Sequence, residues 1–278
     1  MKKILKTTAI VLGGLYAFVC AAVLVCPQVF FYNPANRPSV LSNAHEYDYP
    51  AQEVHYKSAD GTPLFAWFTP PTEGKKIVVF MHGNSHNVEE FYYKLKSFVY
   101  DGYGTFIPEY RGFGGLDGSI SQKNLEADAI AAIRYLNSRG YKNSDLYVYG
   151  MSLGSHMATH TVAELQKNGN FAGLILEVPF DSLLNTARRT VPFLPLSLLM
   201  RDTYDNVADI KTVKSPILIM GGSIDPTVPV DLAINLYNQA PEPKKMIIYK
   251  NGKHSNLFNF RNDLDILNWI EINEKGIY

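Results

Sequence analysis

Apolar and polar positions along this chain fall into three successive patterns. The first is a continuous one. No residue from Thr7 to Asn36 is charged, and an apolar stretch runs from about Ile4 to Val25 behind Lys2, Lys3 and Lys6. Roughly 20 such residues are what a helix needs to cross a ~30 Å hydrocarbon core. The lysines predict an N-terminus held in the cytoplasm, with the rest of the chain on the far side. Phe30, Phe31 and Tyr32 follow as aromatics suited to the far interface. A cleaved signal peptide shares the basic start but has a shorter apolar region. Cys20-Ala21-Ala22 is a poor small-x-small cleavage site, and Val25 precedes Cys26 where a lipoprotein signal needs a small residue. A retained single-pass anchor with its flank over 1–32 is therefore expected, and secretion after cleavage is its alternative.

The second pattern is polar and broken: residues 33–50 are rich in Pro, Asn and Ser and read as a linker. The third alternates and fills 51–278. Val54 to Lys57 and Leu64 to Phe68 flank Asp60-Gly61, a hairpin signal. Short apolar runs then recur at Lys76 to Phe80, Gly104 to Pro108, Leu146 to Tyr149, Gly173 to Glu177, Pro216 to Met220 and Lys245 to Tyr249. Continuous apolar runs of that length suit strands covered on both faces. Between them, Val88 to Tyr100, Leu125 to Arg139, Val230 to Gln239 and Asp263 to Ile272 read as helices. Alternation of this kind predicts an α/β architecture, a mostly parallel doubly wound sheet with the hairpin as an antiparallel N-terminal edge. Leu183 to Asp209 interrupts it with Val191-Pro-Phe-Leu-Pro-Leu-Ser-Leu-Leu-Met200. That stretch is too apolar for an exposed loop and too proline-broken for a strand, so a short helical lid is expected over about 183–209.

Composition narrows the partners more than the fold. The 278 residues carry a formal net charge of zero, which offers no global field for nucleic acid. Both cysteines, Cys20 and Cys26, lie in or just after the apolar segment, so the remainder has no disulfide framework, thiol nucleophile or cysteine metal site.

Candidate chemistry gathers where strands end. Gly150-Met151-Ser152-Leu153-Gly154 stands between a strand and a helix, the context of a nucleophile elbow that lifts a serine hydroxyl above the sheet. In open parallel sheets, sites form beyond the carboxyl ends of strands. Asp225 and His254 each follow one. Ser152 is then the expected nucleophile, His254 the base, and Asp225 the acid that orients and stabilises the imidazolium. Asp181, after another strand, is the rival acid. The expected oxyanion donors are the backbone amides of Leu153 and of Asn84 in the His82-Gly83-Asn84 loop. His156 and His160 have the four-residue spacing of metal ligands, but no Glu lies between them in a His-Glu-x-x-His pattern and no third ligand is apparent. They are expected as packed or surface histidines, with no metal. His82 is expected to brace its loop, and Arg111 to tie its loop to neighbours.

His82-Gly-Asn84, Tyr110-Arg111-Gly112, Gly150-x-Ser152-x-Gly154, Pro179-Phe180 and Gly222-x-x-Asp225 together resemble the α/β-hydrolase superfamily, in particular its membrane-anchored domain proteins and serine aminopeptidase-like hydrolases. The resemblance runs from about Val54 to the C-terminus. It departs at Ser85-His86, where small residues are usual, at Glu109, where Asp is usual, and at Lys253, which separates His254 from Gly252. The resemblance implies an α/β-hydrolase fold and a membrane-anchored serine hydrolase without cofactor. Such an enzyme cleaves esters, thioesters or amides through an acyl-enzyme. The anchor and lid favour a small-molecule or lipid-like acyl substrate, with Phe113, Phe193, Leu196, Leu199 and Met200 as candidate pocket and lid residues. The alternatives are an aminopeptidase, with Glu177 or Asp181 receiving the substrate's amino group, and a non-catalytic membrane-tethered scaffold.

Overall fold

The computed structural model describes residues 1–25, 32–35, 37–46 and 48–276. Cys26, Phe30 and Phe31 lie outside the described residues. The sheet comprises β1 (Gln52–Lys57), β2 (Pro63–Thr69), β3 (Ile77–Met81), β4 (Gly104–Pro108), β5 (Leu146–Met151), β6 (Gly173–Glu177), β7 (Ile217–Gly222) and β8 (Lys244–Tyr249). Their spatial order is β8-β7-β6-β5-β3-β4-β2-β1. Strands β3 to β8 pair in parallel, while β2 runs antiparallel to both β4 and β1. This is the α/β-hydrolase fold.

The described helices are α1 (Lys2–Val25), α2 (Leu41–Glu46), α3 (Lys96–Tyr100), α4 (Gln122–Ser138), α5 (Leu153–Leu165), α6 (Leu183–Thr190), α7 (Leu196–Leu199), α8 (Asn206–Ile210), α9 (Val230–Gln239) and α10 (Asn262–Glu274). Successive strand side chains point to opposite faces, so β3 divides its residues between two cores. Ile77, Val79 and Met81 pack with Leu136 of α4, Met157 of α5 and Leu236 of α9. Val78 and Phe80 pack with Phe98 of α3 and Trp269 of α10. Every residue of β3 to β7 is buried, because both faces are covered.

Two expectations require correction. The segment from Val88 to Tyr100 is not one helix. It forms 3₁₀ turns at Val88–Glu90 and Tyr92–Leu95 before α3. Val88, Phe91 and Lys94 all turn inward, and a spacing of three suits the tighter helix. Nor is 33–50 a linker. Asn33–Pro34 pairs in parallel with Ser85–His86, α2 follows, and Ala44 and Tyr49 are fully buried. The Tyr49 hydroxyl meets Thr105 Oγ1 at 2.5 Å. The polar composition concealed a few apolar side chains that anchor the segment in the second core.

Helix α1 is the one described helix long and apolar enough to cross a membrane, with a mean hydropathy of 2.4 over Lys3–Val25. Most of its large apolar side chains, Leu5, Ile10, Leu12 and Phe18 among them, are exposed. One face of its last turns is not, although Leu24 and Val25 remain exposed. Val23 is buried with Leu194, Leu196, Leu199 and Met200 in a small third core, and the Tyr16 hydroxyl donates to the Phe193 carbonyl at 2.9 Å.

Candidate functional site

The turn from β5 into α5 places Ser152 at φ 53°, ψ −118°, a conformation residues with a Cβ rarely adopt. Such a backbone costs of order 1–3 kcal/mol and persists only where the surroundings over-determine it. They do so here: Ser152 N–H donates to the Glu177 carbonyl at 2.9 Å, and Ser155 N–H donates to the Ser152 carbonyl at 2.9 Å. The flanking glycines are demanded by close approach. A Cβ on Gly154 would lie 1.9 Å from the Met81 carbonyl oxygen, and one on Gly150 would lie 2.2 Å from that of Gly154. Gly154→Ala is expected to destabilise the protein at or beyond the upper end of the ~1–3 kcal/mol range for overpacking. Urea unfolding measures it, and an unchanged midpoint would contradict the packing described.

His254 and Asp225 come from the loops after β8 and β7. Those loops touch: a Cβ on Gly222 would lie 2.4 Å from the Gly252 carbonyl oxygen. Asp225 Oδ1 accepts from the backbone amides of Thr227 at 2.8 Å and Val228 at 2.9 Å, which locks the carboxylate. Its Oδ2 lies 2.8 Å from His254 Nδ1, and His254 Nε2 lies 2.9 Å from Ser152 Oγ. With a carboxylate at Nδ1, that nitrogen carries the hydrogen and donates, leaving Nε2 to accept from the serine hydroxyl. Burial leaves the Asp225 side chain 1 % exposed, so water competes little for that bond.

The rival acid goes elsewhere. Asp181 accepts from Asn185 Nδ2 at 3.1 Å, Asn235 Nδ2 at 2.8 Å and the Ser182 amide at 2.5 Å, tying the start of α6 to α9. Glu177 is buried and taken up by Lys94 Nζ at 2.8 Å and by the Tyr149 hydroxyl. Burial, with the Glu177 charge beside it, pushes the Tyr149 hydroxyl well above its ordinary range, so it stays protonated and donates.

Two recesses meet at Ser152. One is a cavity of ≈ 460 Å³ lined by Asn84, Leu153 and mostly apolar side chains, including Phe180, Leu183, Phe193 and Leu196. The other, ≈ 360 Å³, is more polar and is lined by His86, Glu90, Lys94 and His254. Leu153 thus flanks the serine on the apolar side, while Asn84 lines both recesses. Of the expected pocket residues, Phe193 and Leu196 line the cavity, whereas Leu199 and Met200 pack against α1 beside it. Phe113 lines neither recess: it is fully buried against His82 and Tyr110, because its loop turns beneath the sheet end. Val19 and Val23 of α1 form part of the apolar wall. No sequence signal marked them, since their run reads wholly as an anchor.

The remaining polar residues are braces. His82 bridges the Gly83 carbonyl and Glu109 Oε1, both at 2.9 Å. Arg111 forks onto Asp128 and Asp60, both at 2.6 Å. His156 and His160 lie together on α5, and Glu126 of α4 reaches both, a third partner that helical spacing alone had not revealed.

A family model described as serine aminopeptidase, S33, matches residues 72–199. An uncharacterized protein of Mycobacterium tuberculosis (strain H37Rv) is 30% identical over 208 residues, 73% of this chain and 72% of that protein. The lysophosphatidylserine lipase ABHD12 of Xenopus tropicalis is 26% identical over 296 aligned positions, 88% of this chain and 74% of that one. Among solved structures, the Pyrococcus furiosus esterase Pf2001 superposes with a TM-score of 0.68 at 17% identity, over 87% of this chain and 98% of that chain.

Proposed function

Because this chain belongs to the α/β-hydrolase superfamily and is a hydrolase of that type, we propose that it is a membrane-anchored serine hydrolase acting on lipid-like carboxylic esters. The observation that carries this reading is His254 standing between Ser152 and Asp225 at 2.9 and 2.8 Å. Three residues from three separate strand ends have no packing reason to align in that way.

The chemistry runs as follows. Ser152 Oγ attacks the acyl carbonyl carbon while its proton passes to His254 Nε2. The new imidazolium is stabilised by the Asp225 carboxylate. The Leu153 and Asn84 backbone amides receive the oxyanion, each such donor being worth about 10²–10³ in rate. Collapse breaks the bond to the alcohol, which leaves with the proton from His254. Water, deprotonated by His254, then cleaves the acyl-enzyme and regenerates Ser152.

The substrate preference rests on the two recesses. The apolar one suits an acyl chain, and the polar one suits the alcohol portion. Leu198 and Phe193, exposed on the lid beside the apolar α1, support a lid set against a bilayer surface. Lys2, Lys3 and Lys6 orient the hydrolase domain outside the cytoplasm. Removal of the helix as a signal peptide would strip Val19 and Val23 from the cavity wall, which favours a retained anchor. An intact mass showing loss of the first ~25 residues would count against it. The aminopeptidase reading needs a free carboxylate for the substrate's amino group. Glu177 is taken by Lys94 and Tyr149, and Asp181 by Asn185 and Asn235. Glu90, in the polar recess, is tied to Arg37 at 2.6 Å.

A fluorophosphonate probe tests the mechanism: the folded protein is expected to label, and failure to label would return it to the scaffold reading. Val23→Trp, which narrows the α1 wall, tests the pocket. It is expected to lower kcat/KM for long-chain acyl esters about tenfold or more relative to short-chain ones. Equal loss for both would mean that α1 does not shape acyl selection.

A further inference from the structure

We infer that Glu126, His156 and His160 form a binding site for a divalent transition-metal cation of the zinc class, separate from Ser152. The two histidines are one helical turn apart on α5, with rings 5.7 Å apart and 16° from parallel. Their hydrogen bonds decide which nitrogens are available. Asn206 Nδ2 donates to the Phe180 carbonyl at 2.9 Å and reaches Ser155 Oγ at 3.4 Å, so its Oδ1 is the acceptor facing His156 Nδ1 at 3.1 Å. His156 Nδ1 therefore carries the hydrogen. His160 Nδ1 faces Asp209 Oδ2 at 3.0 Å, and there too the ring nitrogen must donate.

Both Nε2 atoms then turn toward one carboxylate. His156 Nε2 lies 2.9 Å from Glu126 Oε1, and His160 Nε2 lies 3.8 Å from Glu126 Oε2. In neutral imidazoles these nitrogens present lone pairs, and Glu126 Oε1 already accepts from Gln122 Nε2 at 2.8 Å, so a cation among the three groups would take the place of the proton that otherwise joins His156 Nε2 to Glu126 Oε1. The ligand atoms all lie within 4.8 Å of one another. Tetrahedral zinc with bonds of 2.0–2.2 Å sets its ligands about 3.3 Å apart, and the observed 2.9 and 3.8 Å separations straddle that distance. Two imidazoles and a carboxylate are a zinc donor set. Asn206 and Asp209 supply the outer hydrogen bonds that orient ligand imidazoles and raise their basicity. Glu126 and His160 are partly exposed, at 17% and 21%, which gives an ion a way in and leaves room for water as a fourth ligand. The bound cation would staple α4 to α5, and through Asp209 to α8. The helix carrying Ser152 at its start would be held from below, with no part in the bond cleavage.

Untagged full-length protein in detergent, stripped with EDTA, re-equilibrated with Zn²⁺ or Co²⁺ and freed of excess, is assayed for metal by mass spectrometry. One retained equivalent is expected, with a higher Tm in Zn²⁺ and a visible Co²⁺ spectrum of tetrahedral nitrogen-oxygen ligation. His160→Gln and Glu126→Gln should lose both the metal and the Tm response. Asp209→Asn should weaken binding about 10–100-fold, and Ser152→Ala should bind normally. The proposal is overturned if wild-type protein retains no metal, or if both ligand variants retain it equally. It is also overturned if NMR in Zn²⁺ shows protons on both Nε2 atoms, which would make the cluster an imidazolium–carboxylate pair. The Co²⁺ spectrum of wild type decides the matter should either variant fold poorly.

Discussion

Ser152→Ala is expected to lower ester hydrolysis by roughly 10⁶-fold while leaving the fold intact. The residue removed is the one that would form and break the acyl bond. Ser152 Oγ is the hydroxyl that His254 Nε2 meets, at 2.9 Å, so its loss leaves that base without its partner. Fluorophosphonate labelling should vanish with activity, and circular dichroism should not change. Asp225→Asn is the companion test. An amide can turn its oxygen to the two backbone donors at Oδ1 and its NH₂ to His254, forcing the imidazole into the wrong tautomer. A loss of about 10⁴ in kcat is the expectation for that exchange, and Asp181→Asn should cost far less, because Asp181 meets Asn185 and Asn235 instead. Equal losses for the two would refute the assignment of Asp225. Retained hydrolysis in Ser152→Ala would refute the nucleophile.

Lys94→Met is expected to destabilise the protein by about 3–5 kcal/mol, the range for removing one member of a buried ion pair. Lys94 and Glu177 are both almost fully buried and meet at 2.8 Å. Truncating the cation leaves a carboxylate under the elbow with Tyr149 as its remaining donor. The Glu177 carbonyl receives the Ser152 amide, so Ser152 should shift as well, and kcat should fall with stability. Urea unfolding gives the first effect and steady-state kinetics the second. Lys94→Met with Glu177→Leu should regain much of the stability, since replacing both charges by apolar groups is often neutral. A single variant as stable as wild type would mean that the pair is solvated.

Much of this was legible along the chain because it was local. The strand runs, the Asp60-Gly61 hairpin and the turns bearing Ser152, Asp225 and His254 are set by residues within a few positions of each other. The rest involved partners far apart in sequence. Residues 33–50 read as a linker because polar residues outnumber the few that count, Ala44 and Tyr49, whose burial depends on the β4 and 3₁₀ surfaces they meet. Val88 to Tyr100 carries a helical composition, yet its inward residues recur every third position and tighten it.

By itself, then, the sequence determined the order of the sheet strands and of the longer helices between them, and which side chains stand at strand ends. These follow from periodicity and turn chemistry, which act at short range. Only the tertiary structure shows that Asp225 rather than Asp181 meets His254, because both follow strands and the contact depends on which loop touches that of His254. It alone brought Glu126 to the paired histidines from another helix. It also made Val19 and Val23, in a helix that reads along the chain only as an apolar run, part of the wall beside Ser152, since packing between segments so far apart in sequence leaves no trace in local spacing.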